Sequence, residues 1–110
     1  MDTKLWNKSL RDKIPEIIAA RGEHATTRIA DTDVEFVEFL KKKLLEEAQE
    51  LYEASDSAAQ LAELADVQEV LATLLRTLAI SDETLTMAQK KKNDERGGFE
   101  KRIILLATNK

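Results

Sequence analysis

Two long stretches with helical hydrophobic spacing, separated by only three polar residues, dominate this chain. The first covers residues 33–54. Val34, Val37, Leu40, Leu44, Leu45, Ala48, Leu51 and Tyr52 fall on about half its circumference at about 100° per residue. The second begins after the break at Ser55, Asp56 and Ser57 and reaches about residue 79. Asp31, Thr32 and Asp33 offer caps for the first helix, and the break itself contains a cap for the second. Two amphipathic helices joined this closely make an antiparallel αα-hairpin the natural unit. Such broad apolar faces require more than one packing partner each. The expected fold is therefore an all-α helical bundle built on that hairpin, completed by other helices of the chain or by a second copy.

The remaining segments are shorter. Pro15 suits the first turn of a helix that ends near Arg21, with Gly22 as its stop. Residues 23–32 have no clear period and read as a loop. Ser81 is expected to cap a third, more polar helix that ends before Gly97 and Gly98. Ile103, Ile104, Leu105 and Leu106 read as one short C-terminal strand or as packed coil. At 110 residues the chain is expected to form a single domain, small enough that self-association to cover apolar area is an advantage. A net charge of −4 gives no basic field for a nucleic-acid polymer. The absence of cysteine excludes disulfides, thiolate zinc sites and a cysteine nucleophile, and fits a reducing cytoplasm. Charges at Asp2, Lys4, Lys8, Arg11 and Asp12 argue against a secretory signal, and no apolar run is long enough to span a bilayer.

The functional signal lies where acids interrupt the apolar faces. On a helical wheel Glu47 falls between Phe36 and Leu40, with Glu50 about 60° away and Glu46 flanking Glu50. On the second helix Glu63 falls between Val70 and Leu74, with Asp66 on the adjoining arc. Unpaired carboxylates on core-facing positions are costly, and acids on facing helices repel. Three remedies exist: protonated acids, a lysine or arginine partner, or a hard divalent cation. With no His or Cys nearby the ligand set is all oxygen, which favours Mg²⁺, with Mn²⁺ as the alternative. In one continuous helix Glu50 and Glu63 would point to nearly opposite sides, about 20 Å apart along the axis. Folded at the break, Glu47 and Glu50 can face Glu63 and Asp66. The plain alternative is a solvated acidic face, as at Glu53, Glu69 and Glu83.

Residues 44–51, Leu-Leu-Glu-Glu-Ala-Gln-Glu-Leu, followed by residues 62–67, Ala-Glu-Leu-Ala-Asp-Val, resemble the E-E-x-x-E … E-x-x-D signature of the all-α nucleoside triphosphate pyrophosphohydrolases. These are the MazG-like and phosphoribosyl-ATP pyrophosphohydrolase-like proteins. Residues 10–18, Leu-Arg-Asp-Lys-Ile-Pro-Glu-Ile-Ile, resemble the opening of a single-domain branch of that superfamily, and residues 92–99, Lys-Asn-Asp-Glu-Arg-Gly-Gly-Phe, resemble its close. The matches fall in order and span most of the chain. Ser9 departs from the aliphatic residue usual there, and residues 23–33 match nothing in the pattern.

The resemblance implies Mg²⁺-dependent cleavage of a nucleotide to a monophosphate and pyrophosphate by a helical homodimer or homotetramer. It gives Glu47, Glu50, Glu63 and Asp66 the role of metal ligands, and Glu46 that of an extra ligand or a water-orienting base. Either Glu46 or Glu50 can accept a proton from attacking water. A polyanionic substrate also needs cations. Lys43 lies one turn before Glu47, Lys92 and Arg96 precede the Gly97-Gly98 turn, and Arg11 and Lys13 belong to the N-terminal motif. Each has a bland reading: Lys43 pairing with Glu47, Arg11 with Asp12, and the lysine runs as solvated faces. Trp6 suits base stacking or ordinary packing, and His24 is assigned no role. Two other functions fit the pattern: a non-enzymatic helical oligomerisation module, and a phosphoribosyl-ATP pyrophosphohydrolase.

Overall fold

The computed structural model describes residues 3–110 and is all-α. Its helices are α1 (Ile14–Ala20), α2 (Asp33–Glu53), α3 (Ser57–Thr77) and α4 (Asp82–Arg96). They divide between two compact units, Met1–Ala79 and Ile80–Lys110.

In the first unit each helix boundary has a local cause. Pro15 lies in the opening turn of α1, where its missing N–H costs nothing. Gly22 ends that helix at φ +81°. The amide of Gly22 donates to the Ala19 carbonyl and that of Glu23 to the Ile18 carbonyl, the paired closure of a Schellman motif. Thr32 caps α2 by accepting the Glu35 amide at 3.1 Å. The Glu35 carboxylate reaches back to the Asp31 amide at 3.1 Å and takes the Arg28 guanidinium at 2.7 Å, which holds it below its ordinary pKa. Asp56 caps α3 through the Ala59 amide at 2.8 Å. With Ala54 and Asp56 both extended, the chain reverses within three residues.

The α2–α3 hairpin carries the core. Leu40, Val70 and Leu74 are buried, and Phe36, Val37 and Leu44 pack against them. This is one side of each helix only. Val34, Leu45 and Tyr52 on α2 are open, Tyr52 to 85%. On α3 Leu61, Leu64 and Leu71 are exposed, with Leu78 at its C-cap, at spacings of three and seven residues that set them in one stripe. The broad apolar faces read from the sequence thus divide into an inner seam and an outer surface.

The second unit contains α4, capped by Ser81 through the Thr84 amide at 3.1 Å and ended by Gly97 at φ +78°. None of its residues is buried. The C-terminal strand is not formed, and neither is packed coil: Ile103, Ile104, Leu105 and Leu106 are irregular, exposed chain, with Leu106 91% exposed. A lone strand leaves its N–H and C=O groups unpaired, and among the described residues there is no other strand to pair with it. No described helix is long and apolar enough to cross a membrane.

Candidate metal centre

The seam of the hairpin continues past its apolar layer into acids. Seven residues on a helix return to nearly the same face. Glu47 stands seven after Leu40, and Glu63 seven before Val70. Both acids therefore lie in the stripe that buries the core, closer to the α2–α3 turn. Glu47 is 5% exposed, as deeply set as Leu40. Glu63 is half-buried and Glu50, three residues on from Glu47, is open.

Glu47, Glu50 and Glu63 each present a carboxylate oxygen within 4.8 Å of the others. Glu47 Oε2 and Glu63 Oε2 are buried without a hydrogen-bond partner. Among the described residues only Lys43 offsets the charge, with Nζ 3.4 Å from Glu47 Oε1. Burial, the facing Glu63 carboxyl and the nearness of Glu50 push Glu47 up to about 7, and Lys43 recovers only part of this. Burial also raises Glu63, reinforced by Glu50 and Asp66, while the facing Glu47 works the other way. Both acids are thus pushed toward the neutral form by their burial and by their acidic neighbourhood.

The remaining candidates are set differently. Asp66 lies outside the three-acid group and accepts Arg11 Nη2 at 2.6 Å. Arg11 thus pairs with an acid 55 positions away and not with its neighbour Asp12. Glu46 turns from the acids to two lysines, Lys8 at 3.0 Å and Lys43 at 3.4 Å. Burial raises its pKa, but the hydrogen bonds and charges of those lysines prevail and hold it below the ordinary value. Lys13 precedes α1, whose first turn it joins through its carbonyl, and its side chain is exposed. Lys92 and Arg96 lie on α4, in the second unit. There Lys90 pairs with Asp94 at 2.9 Å, an ordinary exposed i,i+4 pair.

A cleft of about 350 Å³ borders the acids, lined by Lys8, Arg11, Lys43, Glu47 and Asp66 with Leu10 and Ile14. Lys8 carries no pattern in the sequence. Its placement comes from the path of the segment before α1, where its Nζ also lies 4.8 Å from the Trp6 ring. Trp6 is exposed on that segment, with Lys4 3.9 Å from its ring centre.

Fold and site together define an all-α chain with an acidic cluster, partly buried, that has the donor set of a hard divalent cation. No family model matches the chain, nor does any curated protein or solved structure.

Proposed function

We propose that this chain is a Mg²⁺-dependent nucleotide pyrophosphohydrolase of the MazG-like, all-α superfamily, cleaving a nucleoside triphosphate to monophosphate and pyrophosphate. The observation that carries the reading is the pair of buried, unpartnered oxygens of Glu47 and Glu63, with Glu50 at the same point. Folded proteins seldom leave such atoms unsatisfied, and two acids aimed at one spot ask for a cation. The all-oxygen set suits Mg²⁺ or Mn²⁺.

Glu47, Glu50 and Glu63 would hold the cation, joined by Asp66. When bound, Mg²⁺ supplies charge neutralisation to the phosphates and acidifies water at the site. The chain's own groups do the rest. Glu50 is the better proton acceptor, because it is open to solvent and near the cluster, whereas Glu46 is tied to Lys8 and Lys43. Arg11 and Lys43 line the adjoining cleft and face the phosphates. For Lys13, Lys92 and Arg96 a substrate role rests on the motifs they belong to alone.

The exposed leucine stripe of α3 supports a homodimer or homotetramer, in which a second hairpin completes the four-helix layer. It equally suits a non-enzymatic oligomerisation module, which needs no cation. The reading assigns the chain to the cytoplasm, where triphosphates and Mg²⁺ are both at hand.

The test is hydrolysis of canonical and modified triphosphates, and of phosphoribosyl-ATP, with Mg²⁺ and with chelator, measuring pyrophosphate separately from orthophosphate. Pyrophosphate release that needs Mg²⁺ and is lost in Glu47→Gln is the expected result. Release from phosphoribosyl-ATP alone narrows the substrate to that compound. Orthophosphate alone moves the cleavage to another bond, and no release from any substrate removes the assignment.

A further inference from the structure

Among the exposed positions of α3 only Glu69 and Arg76 carry charge, and these two pair with each other at 3.7 Å. By contrast α4, exposed along its whole length, has eight charged residues in fifteen. A helix face that only meets water has the second composition. Loss of charge around large apolar side chains marks a face that another protein surface covers.

The apolar residues of that face follow a heptad. Leu61, Gln68 and Leu75 recur at one position, and Leu64, Leu71 and Leu78 at a second, three residues on. This alternating spacing of three and four is that of a coiled-coil seam, and it runs most of the length of α3 to its C-cap. Ala58, Ala65 and Ala72 flank it at the same seven-residue spacing, and their small side chains let a second helix come close. Val70 and Glu63 belong to the inner stripe, so this outer seam is a separate face.

We propose that α3 pairs with α3 of a second copy of this chain along this seam, antiparallel about a two-fold axis, so that Leu61 meets Leu78, Leu64 meets Leu75 and Gln68 meets Leu71 of the other copy. This deepens the homodimer reading above and names its face, direction and register. A two-fold interface must be self-complementary. Reversing α3 against itself puts a leucine in every layer. Parallel pairing would set Gln68 against Gln68 and Ser57 against Ser57, and would align the two helix dipoles. Sliding the antiparallel pair by one heptad would leave Leu78 without a partner and set Ser57 against Leu75. A charge-free face also gives an acidic or basic partner nothing to pair with. Glu47, Glu50 and Glu63 stay within one hairpin, so the pairing needs no cation.

The chain has no cysteine, so introduced cysteines report the pairing directly. In chelator under mild oxidation, an equimolar mixture of Leu64→Cys and Leu75→Cys proteins should give a disulfide between positions 64 and 75. Neither protein alone should cross-link, because the two copies of either position lie about 16 Å apart along the helix axis. Sedimentation equilibrium should show wild type as a dimer. Leu64→Lys and Leu71→Glu should each weaken it about a hundredfold, and Gln68→Leu should tighten it about tenfold. Leu45→Lys, on the open surface of α2, should leave the dimer intact. Circular-dichroism melting confirms that each variant is folded, as expected for positions exposed within one chain. Leu64→Cys that cross-links with itself makes the pair parallel and overturns the proposal. A wild type that stays monomeric, a dimer that survives both Leu64→Lys and Leu71→Glu, or one lost in Leu45→Lys overturns pairing through α3. None of these readouts involves metal or nucleotide, so failure of the hydrolysis test leaves the seam standing and failure here leaves the hydrolysis test standing.

Discussion

The two layers of the α2–α3 seam lie on the same helical stripes and do opposite things. Toward the open end of the hairpin, Leu40 meets Val70 and Leu74 in an apolar layer. Two turns nearer the connection, Glu47 meets Glu63 with two buried oxygens unpartnered. The first layer stabilises the fold by removing hydrocarbon from water. The second costs stability unless a proton or a cation occupies it. Position on a helix therefore decides burial, and side-chain chemistry decides whether burial helps the fold or stores a demand for a ligand.

The sharpest contrast comes from truncating one layer and neutralising the other. Leu40→Ala should destabilise the protein by about 3 kcal/mol in urea unfolding, because it empties the centre of a very small core. Glu47→Gln should do no such harm in chelator. A loss as large as that of Leu40→Ala would mean that Glu47 is already well paired.

Somewhat smaller is the effect of the cation. Mg²⁺ at a hundredfold above its dissociation constant should stabilise wild type by about 2.7 kcal/mol, and Glu47→Gln should abolish this gain in a melting series. Equal stabilisation of both proteins would place the cation elsewhere.

The acidic layer also gives its own pH dependence. Glu47 titrates near 7 in the folded chain, against an ordinary value of 4.5. Below 4.5 it is protonated whether folded or unfolded and carries no penalty. Between 4.5 and 7 the folded state retains a proton that the unfolded chain has lost, so stability falls as pH rises. Above 7 the full penalty applies. In chelator the unfolding free energy should drop by about 3 kcal/mol between pH 4.5 and 7.5, and Mg²⁺ should cancel the drop at the upper end. Glu63 shifts in the same direction, whereas Glu46 is held low and loses its contribution only as pH falls below its ordinary range. A stability that rises over this window in chelator would mean the acids are paired.

The smallest expected effect concerns the connection between the layers' two helices. Asp56→Ala should cost about 1 kcal/mol through the lost cap on the Ala59 amide, and it should weaken Mn²⁺ binding only slightly. A large loss of Mn²⁺ with little loss of stability would show that the turn, and not the seam, sets the distance between the acids.

The helices were legible because their causes are local. Thr32, Asp56 and Ser81 cap the elements they precede, and Pro15 and Gly22 bracket α1. Glu47 and Glu63 could be assigned to the seam for the same reason: about 100° per residue is a property of the backbone, so seven-residue spacing from Leu40 and Val70 fixes their face. Long-range pairing has no such signature. Lys8 meets Glu46 across 38 positions and Arg11 meets Asp66 across 55, because the segment before α1 runs beside α2 and α3. The extent of the core was equally hidden. The same periodicity describes Leu74, which is buried, and Leu71, which is open.

By itself the sequence determined the helices, their ends, the hairpin and the face on which the acids fall, since all of these follow from short-range geometry along one chain. Tertiary structure decided which charges meet, which half of each apolar face is covered, and that residues 103–106 find no strand partner. Those outcomes depend on where distant segments come to rest, and that is set by the packing of whole elements and not by the spacing of residues within any one of them.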